Sequence, residues 1–586
     1  MRTLCGLTGP VWLDASELRI GLGCMRLSTE AGRDEAQAEE TIAAALQEGV
    51  TVFDTAHAYG HGEADMGRGE RLLAGALARR AGGARARVIT KGGMTRPGGG
   101  WVPDGRAKRI LADCEASLAA LDGVPIDLYL IHSPDPRTPW STSLRVLGRL
   151  LDERMVARVG VSNVNRHQLD EALELVPVSA VQVALSIQDD RAIRGGLVER
   201  CEQQGIALIA HSPLGGPRRA RGLARRPPLA EAARAVSATP AEIALAWLLA
   251  LSPAVIAIPG ARHPESVRSA ARAARLRLDP DLARRLGPAR VVRSSPAARS
   301  PRLARDAEVV LIMGIPGAGK TRLAETYVGR GYVRLNRDER GGALRALAEE
   351  IDAQLALGAR RIVLDNTYLT RAARSYVMEA AGRHGVPTRC VWLQTPLAQA
   401  QVNLVQRLLS RFGALPSPED LRVLARREPG ALAPTQQMRA LRELEPPSRE
   451  EGFAAIETIE FARAAPPARA GAGVFVAAAA LSQPGWERAL AGLDPSAPHL
   501  VFDWRPDALP DDLDPLAAQL SARSVETAVC PHGPGPPRCW CRPPLPGMPL
   551  AFAHAYGLDP ARCTLIGTSA AHRTLAAALG ARYVGL

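Results

Sequence analysis

Only three of the 73 basic residues in this 586-residue chain are lysines: Lys91, Lys108 and Lys320. Two of them stand where an amine does chemistry that arginine cannot. A guanidinium stays protonated and spreads its charge over a planar fork, whereas an ammonium is a compact point charge whose pKa moves readily. Lys91 ends the strand-like run Val88-Ile89-Thr90-Lys91. Asp54 and Tyr59, in Phe53-Asp54-Thr55-Ala56-His57-Ala58-Tyr59-Gly60, and His132, in Leu130-Ile131-His132-Ser133, follow other strand-like runs. A phenol is a poor acid at neutral pH. A neighbouring ammonium lowers its pKa, a carboxylate holds the ammonium in place, and an imidazole can orient a carbonyl oxygen and share in proton delivery.

Lys320 closes the loop Gly314-Ile315-Pro316-Gly317-Ala318-Gly319-Lys320-Thr321, which follows the apolar strand Glu308–Met313 and opens a helical stretch. Backbone N–H groups and a helix start together bind phosphate, so Gly314, Gly317 and Gly319 form the cradle. Lys320 reaches the β- and γ-phosphates and Thr321 ligates Mg²⁺. Asp338, in Leu335-Asn336-Arg337-Asp338-Glu339-Arg340, is either a base for an attacking hydroxyl or a helix N-cap. Cys530-Pro531-His532 and Cys539-Trp540-Cys541 give three thiolates and an imidazole, which suits a closed tetrahedral structural zinc. The alternative is a proline-rich loop of free thiols.

These groups need a scaffold. Residues 1–290 alternate strand-like and helical runs about eight times, with strands around Ile20–Met25, Val50–Thr55, Val88–Lys91, Asp127–His132, Val156–Asn163, Ala180–Leu185, Ala207–Pro213 and Val255–Gly260. Apolar strands in strict alternation with helices predict a closed parallel (β/α)₈ TIM barrel, with Asp54, Tyr59, Lys91 and His132 at its mouth. An Arg/Ser/Pro/Ala-rich linker, 291–305, precedes a second α/β unit, a P-loop domain at 306–463. A second linker, 464–473, leads to a small Rossmann-like unit at 474–586. The length alone predicts three or four domains. Nine thinly spread cysteines, no apolar leader and no membrane-length apolar run predict a cytoplasmic location and no membrane partner. The net charge of +13 fits a nucleic-acid partner or simply an arginine-rich, alanine-rich composition.

The first part resembles the aldo-keto reductase family over about residues 16–280. The resemblance rests on Gly49-Val50-Thr51-Val52-Phe53-Asp54-Thr55-Ala56, Val159-Gly160-Val161-Ser162-Asn163, Ser212-Pro213-Leu214-Gly215 and Ile258-Pro259-Gly260. It implies hydride transfer from NADPH to an aldehyde or ketone, with Tyr59 as general acid supported by Lys91 and Asp54. It also implies that Ser162, Asn163 and Gln182 hold the nicotinamide carboxamide, that His211, Ser212 and Leu214 line the cofactor, and that Arg262 meets the adenosine phosphate. His211 stands where the family often stacks a tyrosine, and Ser269-Ala270 where it often has an adenine-binding Glu-Asn pair.

The second part resembles the kinase domain of polynucleotide 5′-hydroxyl kinases over about 308–462. The matching elements are Asn336-Arg337-Asp338, Asp365-Asn366-Thr367 followed by Arg371-Ala372-Ala373-Arg374, and Pro446-Pro447…Glu451-Gly452-Phe453. The resemblance implies ATP as donor, Asp338 as general base, and Asp365, Asn366 and Thr367 in the acceptor cleft. It also implies a lid-helix arginine, Arg407 or Arg411, on the transferring phosphoryl group. Gly341 replaces a substrate-phosphate arginine, for which Arg340 or Arg345 substitutes, leaving RNA, DNA or a smaller acceptor open. The third part, with its Cys/His set, Arg542–Met548 and Leu565-Ile566-Gly567-Thr568-Ser569, resembles zinc-loop phosphatases of the haloacid dehalogenase superfamily. Val474–Ala480 lacks the nucleophilic aspartate, and Thr568 and His572 replace the metal-binding aspartates. Without a nucleophile no phosphoaspartate forms, which implies a pseudophosphatase. The expectation is a carbonyl reductase joined to a nucleic-acid 5′-end kinase. The alternatives are a metabolic enzyme acting on a small molecule, or a kinase carrying a non-catalytic reductase-like binding module.

Overall fold

The computed structural model describes residues 12–30, 32–80, 85–287, 307–340, 344–425, 428, 430–463, 471–533 and 537–586, the side chains of 338, 340 and 510 excepted. Contacts divide the chain into two compact units. The first holds the described residues up to 287 with the short segment 370–375, and the second holds the remaining described residues.

The first unit carries strands β1 (Gly21–Gly23), β2 (Val52–Asp54), β3 (Arg87–Gly92), β4 (Met94–Thr95), β5 (Val102–Pro103), β6 (Ile126–Ile131), β7 (Val159–Ser162), β8 (Val178–Ala184), β9 (Ala207–His211) and β10 (Val255–Ile258). Eight of them pair in parallel in the order β1-β2-β3-β6-β7-β8-β9-β10. Parallel bridges Ile20–Ala257 and Gly23–Gly260 bring the two edges together, so this is a nearly closed TIM barrel. The alternation along β6 explains the two apolar layers. Leu128 and Leu130 join Val52, Ile89, Ile209 and Ile256 inside, whereas Tyr129 and Ile131 face the helices. Trp12 and Leu13 join the inner layer, Trp12 donating its indole N–H to Asp127 near the amino end of β6. Gly160 lets β7 approach β8, because a Cβ there would lie 2.2 Å from the Ala180 oxygen. β4 and β5 form a small antiparallel hairpin outside the barrel that the sequence pattern does not predict.

The second unit contains two five-stranded parallel sheets. One has β11 (Glu308–Met313), β12 (Val333–Leu335), β13 (Arg361–Leu364), β14 (Thr388–Gln394) and β15 (Ala455–Glu460), ordered β12-β13-β11-β14-β15. The other has β16 (Val474–Ala477), β17 (His499–Trp504), β18 (Val525–Cys530), β19 (Thr564–Gly567) and β20 (Arg582–Gly585), ordered β18-β17-β16-β19-β20. Parallel sheets need both faces covered, and here one helix covers parts of both. Leu404 and Leu408 of the helix Leu397–Phe412 share a core cluster with Phe475, Trp540, Phe552 and Leu575. This apolar layer packs the two sheets against one another within one compact unit. Residues 464–470 of the second linker, and the whole linker 291–305, lie outside the described residues. No single helix among the described residues is long and apolar enough to cross a membrane.

Candidate functional site

The carboxyl ends of β2, β3 and β6 gather the first constellation. Lys91 is fully buried at the end of β3 and donates to Asp54 at 2.9 Å, to the Thr55 carbonyl at 2.8 Å and to the Tyr59 hydroxyl at 3.1 Å. All three ammonium protons are therefore committed. Burial alone pulls the Lys91 pKa down, but Asp54 and Tyr59 outweigh it, so the group stays cationic. Tyr59 corrects the expectation of an acidified phenol. Burial pushes its pKa up by more than Lys91 pulls it down, and Asp54 adds to the rise, leaving it above the ordinary value. The phenol is thus held in its proton-donating form, and the lysine limits the cost of developing phenolate charge. The ring of His132 lies 5.9 Å from that of Tyr59, nearly perpendicular. Burial, then Lys91 and His211, hold His132 well below 6.5, so it is neutral, and its Nδ1 is buried without a hydrogen-bond partner.

Beside this group the ends of β7 and β9 form a polar patch. The Asn163 amide donates to the His132 carbonyl at 2.9 Å and to Ser162 Oγ at 3.2 Å. The His211 ring meets Asn163 Oδ1 at 3.2 Å and Ser212 Oγ at 3.3 Å. Asn163 and Ser212 both sit at positive φ, 57° and 51°, a strained conformation that in non-glycine residues concentrates at functional sites. An unpartnered buried nitrogen, an amide and hydroxyls in one patch fit a carboxamide-bearing ring. Leu214 packs partly buried on the barrel core beside them. Two expected cofactor contacts are otherwise engaged. The Gln182 amide donates to Asp54 Oδ1 at 2.6 Å, so here it buttresses the carboxylate, and Arg262 pairs with Glu30 at 3.0 Å. Ser269 spends its hydroxyl on Glu242 at 2.9 Å.

Trp101 is a residue that strand-end reasoning misses. The loop between β4 and β5 holds it edge-on to Tyr59 and His132, with centroids 6.1 and 6.0 Å away, and Arg96 stacks 3.8 Å over its ring. Arg96 donates to the Ala58 and Gly60 carbonyls, which fixes the loop on the segment that carries Tyr59. The available signal was an aromatic directly after Pro97-Gly98-Gly99-Gly100.

The low pKa values of the two histidines predict a pH dependence. His211 is held at about 4, mainly by burial and then by Lys91, and His132 is also held well below 6.5. The unfolded chain therefore binds more protons than the folded one as pH drops below 6.5. The barrel loses stability on acidification through that range, the His211 share levelling out near its folded value of about 4. Thermal midpoints should fall between pH 7 and pH 5 and the slope should shrink in His211→Gln; a flat profile contradicts the assignment.

In the second unit the carbonyls of the loop after β11 are held by side-chain donors. Thr395 donates to the Ala318 oxygen at 3.0 Å, Asn403 to Gly317 at 2.9 Å, and Gln437 to Pro316 at 2.8 Å. Lys320 donates to the Gly314 and Ile315 oxygens at 3.1 and 3.0 Å, curled on the loop. Gly317, at φ 86°, could not be replaced: a Cβ would lie 2.2 Å from the Ala400 oxygen. Gly319, in left-handed conformation, starts the helix Lys320–Val328. A cavity of about 1500 Å³ opens on this loop and is lined by Lys320, Thr321, Asp365, Asn366, Thr367 and Arg407 among others. Arg407 donates to the Gly430 oxygen at 3.0 Å, and Arg411 is ion-paired to Glu428. Asp365 takes both Arg334 at 2.7 Å and Asn336 at 2.7 Å, so its carboxylate positions the end of β12 instead of standing open to an acceptor. Asn366 Oδ1 accepts the Arg337 backbone N–H at 2.9 Å, holding the start of the Arg337–Arg340 turn. The side chains of Asp338 and Arg340 lie outside the described residues.

The ligand atoms of Cys530, His532, Cys539 and Cys541 all lie within 4.8 Å of one another. Cys530 Sγ is 3.6 Å from Cys539 Sγ and 3.4 Å from His532 Nδ1, close to the roughly 3.5–3.8 Å edges of a tetrahedron built on ordinary Zn–S and Zn–N bonds. The donor set and its spacing fit zinc. Trp540, between two of these thiols, is buried and donates its indole N–H to the Leu432 oxygen at 2.9 Å. Neither β16 nor β19 runs directly into a carboxylate in sequence. Ala477–Ala480 follows β16, and His572 accepts the Thr568 N–H at 3.2 Å.

Residues 19–287 match the aldo/keto reductase family model, and residues 309–428 match the AAA domain model. An uncharacterized oxidoreductase of Schizosaccharomyces pombe is 29% identical over 271 residues, which are 45% of this chain and 84% of that protein. A thermostable aldo-keto reductase, Tm1743, solved with the inhibitor epalrestat, is 31% identical over 46% of this chain and 93% of its own, with a TM-score of 0.40. An aldo-keto reductase from Klebsiella pneumoniae, solved with NADPH, is 26% identical over 46% of this chain and 89% of its own, with a TM-score of 0.39.

Proposed function

We propose that this chain, an aldo-keto reductase domain followed by a P-loop AAA-type domain, joins two catalysts. The first reduces an aldehyde or ketone with NADPH; the second transfers the γ-phosphate of ATP to a 5′-hydroxyl nucleic-acid end. The observation that carries the reductase reading is Lys91 within 3.1 Å of Tyr59 and 2.9 Å of Asp54 in a fully buried site. NADPH, when bound, supplies the hydride to the carbonyl carbon. Tyr59 donates its proton to the carbonyl oxygen, Lys91 stabilises the phenolate left behind, and Asp54, braced by Gln182, keeps Lys91 in place. Neutral His132 would orient the oxygen, while Ser162, Asn163 and His211 would hold the nicotinamide end of the cofactor. Trp101 presses on the open side and helps to exclude water.

The kinase reading is supported by a loop whose carbonyls are tied back at the mouth of a large cavity that Thr321 and Arg407 also line. Thr321 would hold Mg²⁺, Asp338 would accept the proton of the attacking hydroxyl, and Arg407 would neutralise the transferring phosphoryl group. The net charge of +13 favours a polyanionic acceptor. A cytoplasmic location and an inactive third domain belong to the same proposal, the latter supported by the absence of a carboxylate in Val474–Ala480. The test uses labelled ATP with 5′-hydroxyl RNA, 5′-hydroxyl DNA and free nucleosides, beside NADPH oxidation with simple aldehydes. Label on nucleosides and on no oligonucleotide would refute the nucleic-acid acceptor.

A zinc in the Cys530–Cys541 cluster would staple the loop after β18. We expect one zinc per chain by elemental analysis and none in Cys541→Ser. If the staple contributes about 3 kcal/mol, its loss should lower the midpoint of the second unit by about 6–12 °C. Unchanged metal content or an unchanged midpoint would contradict a structural zinc.

A further inference from the structure

The cavity on the phosphate loop continues past it to the β16–β20 half of the same unit, where Leu558, Pro560, Ala561 and Leu579 are part of its wall. We propose that this half, which has no catalytic carboxylate of its own after β16, forms the binding wall for the nucleobase of the triphosphate. The inference rests on the kinase reading. Once the phosphates are held by Gly317–Thr321, the sugar and base must extend along the same cavity. A nucleobase needs apolar surface against its faces and polar groups at its edge. Leu558, Pro560 and Leu579 offer the first, and Gln399, Asp559 and Arg463 the second.

This wall is built in. Arg463, just beyond β15, donates to the Ala578 oxygen at 2.6 Å and to Gln399 Oε1 at 3.0 Å. Gln399, in the helix Leu397–Phe412, donates to the same Ala578 oxygen at 3.1 Å. Both side chains thus converge on the carboxyl end of the helix Ala570–Leu579, where a guanidinium is favoured by the helix dipole. Gly580, at φ 74°, makes the approach possible, since a Cβ there would lie 1.8 Å from Arg463 Nη1. On the far side the turn carrying Leu558 and Asp559 is fixed by an Asp559 N–H bond of 3.0 Å to the Gly471 oxygen. The polar ties at Arg463 and Gln399, together with the shared apolar core, hold this wall in register with the phosphate loop.

Binding of ATP and of inorganic tripolyphosphate to the full-length protein separates base from phosphate recognition. Wild type should bind ATP more tightly than tripolyphosphate. Ala561→Trp should weaken ATP about tenfold and leave tripolyphosphate within twofold. Gln399→Ala, which removes no buried apolar group, should shift ATP alone in the same direction by a smaller factor. Lys320→Met should weaken both ligands. Equal affinity of wild type for the two ligands, or ATP and tripolyphosphate affected equally within Ala561→Trp and within Gln399→Ala, overturns the base wall alone. Failure of wild type to bind either ligand overturns the kinase reading and this proposal with it.

Discussion

Tyr59→Phe should lower the turnover of carbonyl reduction by about 10³-fold while NADPH affinity changes less than twofold. The substitution removes one oxygen from a ring that is buried on the barrel, so packing is retained. What disappears is the proton donor 3.1 Å from Lys91. The measurement is NADPH oxidation at saturating aldehyde, with cofactor binding followed by fluorescence. A variant that keeps a tenth of the activity would move the acid role to His132, the other titratable ring in the group. Lys91→Met should lose activity comparably, because the phenol is already shifted upward by burial and then lacks the charge that stabilises its anion. Lys91→Arg should not rescue it. A guanidinium is larger and planar, and the fully buried site offers a carboxylate, a carbonyl and a phenol around one point.

What the sequence made legible follows from how local each signal is. The eight barrel strands read as apolar runs because both of their faces are covered, and Leu128, Tyr129, Leu130 and Ile131 are all buried whichever layer they enter. The two-residue strands β4 and β5 leave no such run, so the loop that presents Trp101 stayed hidden. The convergence of Asp54, Lys91 and Tyr59 followed from strand ends meeting at one mouth. The bond from Gln182 to Asp54 spans 128 positions, and no spacing rule reaches that far. The sign of the Tyr59 shift was missed for a related reason. Sequence names the neighbouring charge but not the depth of burial that outweighs it. In the second unit the phosphate loop is a contiguous motif and could be read directly. The side chains that donate to its carbonyls, Thr395, Asn403 and Gln437, come from three later segments. The joining of the two sheets was equally invisible. It depends on Leu404 and Leu408 having an apolar partner surface, and an amphipathic helix does not declare which surface it covers.

Lys320→Met should lower phosphoryl transfer by at least about 10²-fold and leave carbonyl reduction unchanged. The reductase machinery lies in the other unit, so its activity reports that the first unit is intact, and an unchanged thermal transition of the second unit shows that the substitution has not unfolded the phosphate loop's own scaffold. Lys320 is placed by its own loop, 3.1 and 3.0 Å from the Gly314 and Ile315 oxygens, and a triphosphate in the cradle would compete for the same three protons. Binding then exchanges two neutral acceptors for anionic ones, which is the stronger hydrogen bond. Lys320→Arg provides the more discriminating comparison. This chain uses arginine for 70 of its 73 cations, so a site that merely needed positive charge would be expected to hold one. The loop packs so closely on the helix Leu397–Phe412 that a Cβ on Gly317 would meet Ala400, and a rigid fork cannot curl back between consecutive carbonyls as a flexible amine does. Lys320→Arg should therefore recover less than a tenth of wild-type transfer, measured with labelled ATP on whichever acceptor the wild type uses. Full recovery would mean that charge alone suffices, and the scarcity of lysine would then carry no information about this site.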